Sequence, residues 1–198
     1  MKATSLTIEQ IETLITGYPD APYYVRRNLV VPNCDWGFLN HEADLLVLTQ
    51  AKHLIEIEIK RTWADFMADF KKKHTHYDPK LSYFYYAVPL SIAQRAFNWL
   101  YTGTFLCNPT RPIKYEQSKV TGYTENNPHK CGLIIYASQD EAYTIGERIG
   151  TCGINVMAHK LGDYYKVTQD EEKRLLRLLG LRVWNLKNKI AKLQNQLK

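Results

Sequence analysis

Residues 54–61 read Leu-Ile-Glu-Ile-Glu-Ile-Lys-Arg, and the alternation puts Ile55, Ile57 and Ile59 on one face of a strand and Glu56, Glu58 and Lys60 on the other. Three ionisable groups therefore share a face. Just upstream, Glu42-Ala-Asp-Leu-Leu-Val-Leu48 has strand character of its own, and the connection Thr49-Gln-Ala-Lys52 is short. Two strands so joined bring Asp44 beside Glu58, with Lys60 one pleat further along. An acid on one strand and acid-x-lysine on the next suits metal-dependent phosphodiester cleavage. The carboxylates hold Mg²⁺ or Mn²⁺, hard cations that take oxygen ligands and lower the pKa of bound water. The lysine orients or deprotonates the attacking water and offsets charge growing on the phosphate. The competing reading is a solvated strand face with cross-strand ion pairs, which accounts for the strand alone but not for Asp44 at the matching separation.

The surrounding elements must position these groups. Ile8, Ile11 and Ile15 at helical spacing, with Thr7 and Gln10 as a capping box, predict a first helix ending near Gly17. Residues 23–31 are β-rich and 32–37 form a turn cluster, so a three-strand meander precedes Lys60. From Thr62 the period changes to about 3.6. Trp63, Phe66, Met67, Phe70, His74 and Tyr77 fall on one face, with Asp65, Asp69, Lys72 and His76 opposite, which predicts a helix to about Asp78. Residues 81–89 are apolar and aromatic throughout, as in a central strand, and a helix follows from Ser91 to about Tyr101. Residues 102–130 read as an elaborated loop, 131–138 as a buried strand, 140–150 as ambiguous and 154–161 as a last strand. Thr168 and the acids after it begin a final helix. In that helix Leu176, Leu179, Val183, Leu186, Ile190, Leu193 and Leu197 alternate three and four apart, a heptad-like seam interrupted at Gly180.

The chain has 198 residues, 45% hydrophobic, enough for one core. The net charge of +6 is unevenly placed: Lys173 to Lys198 hold eight basic residues and no acidic one, leaving 18 basic against 20 acidic elsewhere. An inference of a polyanionic partner from charge thus rests mainly on the tail. Cys34, Cys107, Cys131 and Cys152 form no CxxC, which excludes a zinc knuckle and a disulfide framework and leaves structural thiols. No apolar run nears the roughly 18 residues of a membrane span, and the N-terminus lacks the apolar stretch of a secretory signal. A soluble, cytoplasmic protein is expected.

Asp44 with Glu58-Ile59-Lys60 resembles the PD-(D/E)XK nuclease superfamily. The stretch EADLLVL…IEIEIKRTWADFMADFKKKHTHY…SYFYYAVP is similar to the MmcB-like DNA-repair nuclease family within it, over roughly residues 23–89. That resemblance implies an α/β chain with a restriction-endonuclease-like core (helix, three-strand meander, helix, strand), here residues 1–167, followed by a basic helical extension at 168–198. It implies a Mg²⁺- or Mn²⁺-dependent deoxyribonuclease acting in DNA repair or processing. Asp44, Glu58 and Lys60 are then catalytic, and Asp44 and Glu58 are metal ligands. An acid of the first helix often completes the metal site in this superfamily; Glu9 and Glu12 are both available, and Glu12 is the candidate third ligand. Ala43 stands where the superfamily's name has proline. Lys73 and Tyr77 echo the QxxxY element of some members, with lysine replacing glutamine, and with Arg61 they are candidate substrate-binding residues.

Several side readings complete the set. Lys71 to Lys73 with Arg61 suit a phosphate-contacting patch or a solvated helix end. His74 and His76 are weighed as metal ligands and set aside for want of a partner motif, and Glu56 is assigned to the surface or to a supporting position. In the tail, Leu176 to Trp184 are expected to pack on the body, leaving the end of the helix for a second copy or for DNA. Two alternatives to a nuclease remain: a catalytically silent nucleic-acid-binding module of the same fold, and a helix-mediated assembly protein.

Overall fold

The strand that carries the ionisable row lies inside a six-stranded sheet of order β1-β2-β3-β4-β5-β6. These strands are Leu29–Cys34 (β1), Ala43–Leu48 (β2), Leu54–Ile59 (β3), Leu81–Pro89 (β4), Gly132–Tyr136 (β5) and Cys152–Val156 (β6). The helices are Ile8–Thr16 (α1), Trp63–Asp69 (α2), Leu90–Thr102 (α3) and Gln169–Gln196 (α4). The computed structural model describes residues 6–34, 37–72, 76, 78–102, 130–137, 152–156, 158, 160–161 and 165–196. The chain is thus mixed α/β with a C-terminal helix. No helix among the described residues is long and apolar enough to cross a membrane.

The expected meander is present: β1, β2 and β3 pair antiparallel, with Leu46 opposite Glu56 and Leu45 opposite Ile57. After α2 the chain returns as β4, parallel to β3, and after α3 as β5, parallel to β4. These crossovers bury β4 on both faces, which explains its continuous apolar character. On one face Ile55, Ile57 and Ile59 join Leu45, Val47, Tyr85 and Ile134 under Ile11 and Ile15 of α1. Gly132 is required here, because a Cβ would stand 2.2 Å from the Tyr85 ring. The opposite face holds two apolar clusters. One gathers Phe66 of α2 and Ala93, Ala96 and Leu100 of α3 over Phe84, Tyr86 and Leu133. The other sets Leu175 over Val31, Leu46, Leu54 and Leu81. The polar row of β3 shares this face with both.

Some boundaries differ from expectation. β1 begins at Leu29 rather than Tyr23 and runs through Pro32 to Cys34, where a turn was expected. As an edge strand it tolerates a proline that a central strand would not. Tyr23 instead packs edge-on against Tyr85, with centroids 6.0 Å apart. The last strand starts at Cys152, earlier than read. The helix after Lys60 has 7 residues and ends at Asp69. A longer one would aim Lys72 and His76 at solvent, but both turn back to the buried Asp69 carboxylate. The readings at 103–129 and 140–150, and those of Lys73, His74 and Tyr77, lie outside the described residues.

The tail departs most. α4 is one uninterrupted helix of 28 residues, about 42 Å long, and passes through Gly180 without a break. A capping box opens it, Glu171 N donating to Thr168 Oγ1 at 3.3 Å and Thr168 N to Glu171 Oε2 at 3.0 Å. Of the stretch Leu176 to Trp184, expected to pack on the body, Leu178 does so and Leu179 is half-buried, while the other apolar residues do not. The face toward the body carries Leu175 and Leu178, whereas Leu176, Leu181, Val183, Trp184, Leu186, Ile190 and Leu193 stay exposed. The helix offers its Leu175 and Leu178 face to the sheet, and most of the seam lies on another.

Candidate active site

Every residue of β3 is buried, so its charged row is not a solvated face. Glu56, Glu58 and Lys60 are 0%, 3% and 4% exposed. Burying such groups costs several kcal/mol per ion unless each finds partners, and the fold supplies them in two adjoining groups.

The first group is the one expected. Asp44 sits at the start of β2, and its Oδ2 accepts the backbone N–H of Ile59 at 2.8 Å, which holds its carboxylate against the end of β3. There it meets Glu58. Burial, and then the hydrogen bond and charge of Asp44, push the Glu58 carboxyl up to about 8, against the pull of Lys60 and His76. The Lys60 ammonium is 3.6 Å from Glu58 Oε1. Its backbone is fixed on both sides: Lys60 N donates to Ala87 O at 2.8 Å, and Tyr136 Oη donates to Lys60 O at 3.1 Å. Of the two acids on α1, Glu12 is the one half-buried toward the site; burial raises its carboxyl, followed by Glu9 and then Asp44. Glu9 is exposed, and its carboxyl is lowered by a backbone hydrogen bond and by Thr7. The structure therefore brings Asp44, Glu58 and Lys60 together, with Glu12 on α1 within the field of Asp44.

The second group is centred on two acids that the sequence placed elsewhere. Asp69, the last residue of α2, is buried and binds Lys60 Nζ at 2.8 Å, His76 Nε2 at 2.7 Å and the Tyr86 hydroxyl at 2.8 Å, with Lys72 close on the same oxygen as Lys60. Burial works to raise its carboxyl, but the bonds from His76, Lys60 and Lys72 hold it well below the usual carboxylate range. Glu56, expected at the surface or in support, accepts from His76 Nδ1 at 2.6 Å and faces His41 Nε2 at 2.8 Å. Burial would lower His76, yet its bonds to Asp69 and Glu56 raise it to about 9, and its ring stacks on Phe84 with centroids 4.5 Å apart.

The substrate-binding candidates are less convergent. Arg61 is exposed and its N–H donates to Asp65 Oδ2 at 3.1 Å. Lys72, counted in the lysine patch, points inward to Asp69 and Glu58, while Lys71 is exposed. Sequence reasoning missed His41 and the central roles of Glu56 and Asp69. Pattern offers no signal for His41, which lies 15 residues from Glu56 in the connection between β1 and β2 and meets it only because that connection brings its side chain to the polar face of β3. For Asp69 the signal was helix length, since a helix ending there turns its last carboxylate onto the sheet.

No family model matches the chain, and no curated protein does. It is similar to a solved structure, that of a protein of unknown function from Silicibacter pomeroyi, with 15% sequence identity, a TM-score of 0.44, and coverage of 84% of this chain and 82% of that one.

Proposed function

We propose that this chain is a metal-dependent DNA nuclease of the PD-(D/E)XK type, with a restriction-endonuclease-like core and a role in DNA repair or processing. The observation that carries the reading is the meeting of Asp44 and Glu58 at the end of β3, with the Lys60 ammonium 3.6 Å from Glu58. The helix, antiparallel three-strand meander, helix and parallel strand that frame it agree with the motif's usual setting.

The donor set fits Mg²⁺ or Mn²⁺. It is all oxygen, and a hard dication between the two carboxyls would take the place of the proton that burial and Asp44 favour on Glu58, with Glu12 on α1 as a further acid. Asp44 and Glu58 would hold the ion, with Glu12 as a third ligand, and the bound ion would supply an acidified water and a polarised phosphate. The protein's own part is positional. Asp69 fixes Lys60, so its ammonium is preorganised to orient the attacking water and to face charge growing on the phosphate. Arg61 and Lys71 are exposed cations near this edge and suit phosphate contacts.

The seam of α4 is assigned to a second copy of this chain. Val183 and Ile190 alternate with Leu179, Leu186 and Leu193, the β-branched and leucine order that favours a parallel two-stranded coiled coil. The flanking Arg182 and Lys187 would repel across such a pair, and DNA along them would relieve the repulsion.

Labelled linear, nicked, branched and single-stranded DNA incubated with the full chain in Mg²⁺ or Mn²⁺, beside Glu58→Ala and Lys60→Ala, tests the reading. Cleavage lost in both variants supports it. Metal-independent, salt-sensitive binding without scission would move the assignment to the silent binding module.

A further inference from the structure

We propose that His41, Glu56 and His76 form a second metal site, separate from the Asp44–Glu58 pair, that takes a transition dication of the Zn²⁺ class and pins the chain leading into β2 and the chain following α2 onto the central strand. The candidate ligand atoms of the three lie within 4.8 Å of one another. His41 Nε2 is 2.8 and 2.9 Å from the two Glu56 oxygens, and His76 Nδ1 is 2.6 Å from one of them. The two rings meet edge to face with centroids 5.1 Å apart, and Nε2 of His41 and Nδ1 of His76 both face the Glu56 carboxylate. Two imidazoles and a carboxylate are ligands that Zn²⁺ accepts at about 2.0–2.2 Å, and Mg²⁺ has little preference for such nitrogen.

The surroundings strengthen the assignment. A histidine bound to metal almost always donates its other ring N–H to an oxygen, which fixes the tautomer and aims the ligating nitrogen. Both histidines meet that requirement: His41 Nδ1 lies against Asn40 Oδ1, and His76 Nε2 lies 2.7 Å from Asp69 Oδ2. Around a tetrahedral ion the ligand atoms stand about 3.3 Å apart, so the contacts of both histidines with Glu56 lengthen by roughly half an ångström.

A neighbouring trio, Glu58, Asp69 and His76, also brings ligand atoms together. It is the poorer site, because Asp69 already receives the ammoniums of Lys60 and Lys72 and the hydroxyl of Tyr86. A dication there would face two cations. With Glu56 and His41 fully buried and His76 nearly so, the better-supplied site is closed, and its role is structural. By holding His76 it holds Asp69, and through Asp69 the lysine of the first site.

Full-length protein stripped with chelator and titrated with Zn²⁺ tests this independently of cleavage. The expected result is one tight equivalent whose X-ray absorption shows two imidazole ligands. Affinity should fall at least tenfold in Glu56→Gln and in His41→Ala and remain unchanged in Asp44→Ala, which alters only the proposed nuclease centre. Circular dichroism identifies which variants are folded, and the wild-type ligand shell decides the matter if neither is. No Zn²⁺ binding, a shell without imidazole, undiminished affinity in folded Glu56→Gln, or loss in Asp44→Ala would overturn the proposal.

Discussion

Lys60 Nζ lies 2.8 Å from Asp69 Oδ1 but 3.6 Å from Glu58 Oε1, so the lysine of the strand motif is held more closely by the end of α2 than by its own neighbour. Asp69 thereby ties the helix to the proposed chemistry. Removing its charge by Asp69→Asn leaves Lys60 without its nearest counter-ion and His76 and Lys72 without one of theirs. Breaking a buried pair in this way costs about 3–5 kcal/mol. Urea denaturation should show that loss, and the folded remainder should lose the proposed DNA cleavage. A variant as stable as the parent would mean that the network is not held by charge.

The two acids of α1 should separate cleanly. Glu12 is half-buried and shares its field with Asp44, whereas Glu9 is exposed and occupied with the helix cap. Glu12→Gln is expected to raise the Mg²⁺ concentration needed for half-maximal cleavage about tenfold, and Glu9→Gln to leave it unchanged. The reverse order, or equal effects, would remove Glu12 from the proposed metal site.

Stability should depend on pH in a direction set by three groups. Glu58, pushed up to about 8 by burial and then Asp44, and His76, raised to about 9 by Asp69 and Glu56 against the effect of burial, both bind protons more tightly in the folded chain. Their contributions are complete below the ordinary values of 4.5 and 6.5 and are lost as the pH rises through about 8 and about 9. Asp69 has the opposite sign: held below its ordinary 3.8, it stabilises above that value and fails only on acidification. In chelator, Tm should therefore fall from about pH 5 to about pH 9. Added Mg²⁺ should raise Tm more at high pH, because the ion and the proton compete for Glu58. A Tm that climbs over that range in chelator would contradict the assignment of Glu58 and His76.

The α4 seam gives a test free of the site. Leu186 and Ile190 are 60% and 47% exposed, so Leu186→Asp with Ile190→Asp should leave the fold of one chain intact. Light scattering should then report a mass falling from two chains to one, as should truncation after Arg182. A parent protein that scatters as one chain at every concentration would remove the basis for pairing.

Much of the scaffold was legible because its signals are local. Alternating Ile and Glu or Lys fixed the faces of β3, a short turn fixed Asp44 opposite Glu58, and Thr7 with Gln10 marked the start of α1. These follow from strand and helix periodicity, which needs no knowledge of distant residues. Tertiary structure decided the burial of the polar row, since alternation assigns a face but not what covers it. It also decided where α2 stops, because the pull of buried Asp69 on Lys72 and His76 outweighs a continuing helical pattern. His41 was illegible for the same reason: its partner is chosen by the path of the β1–β2 connection across the polar face of β3, and no spacing along the chain encodes that meeting. In α4 the sequence alone defined the apolar seam, but only the assembled sheet, which accepts the Leu175 and Leu178 face, left that seam turned away from the body.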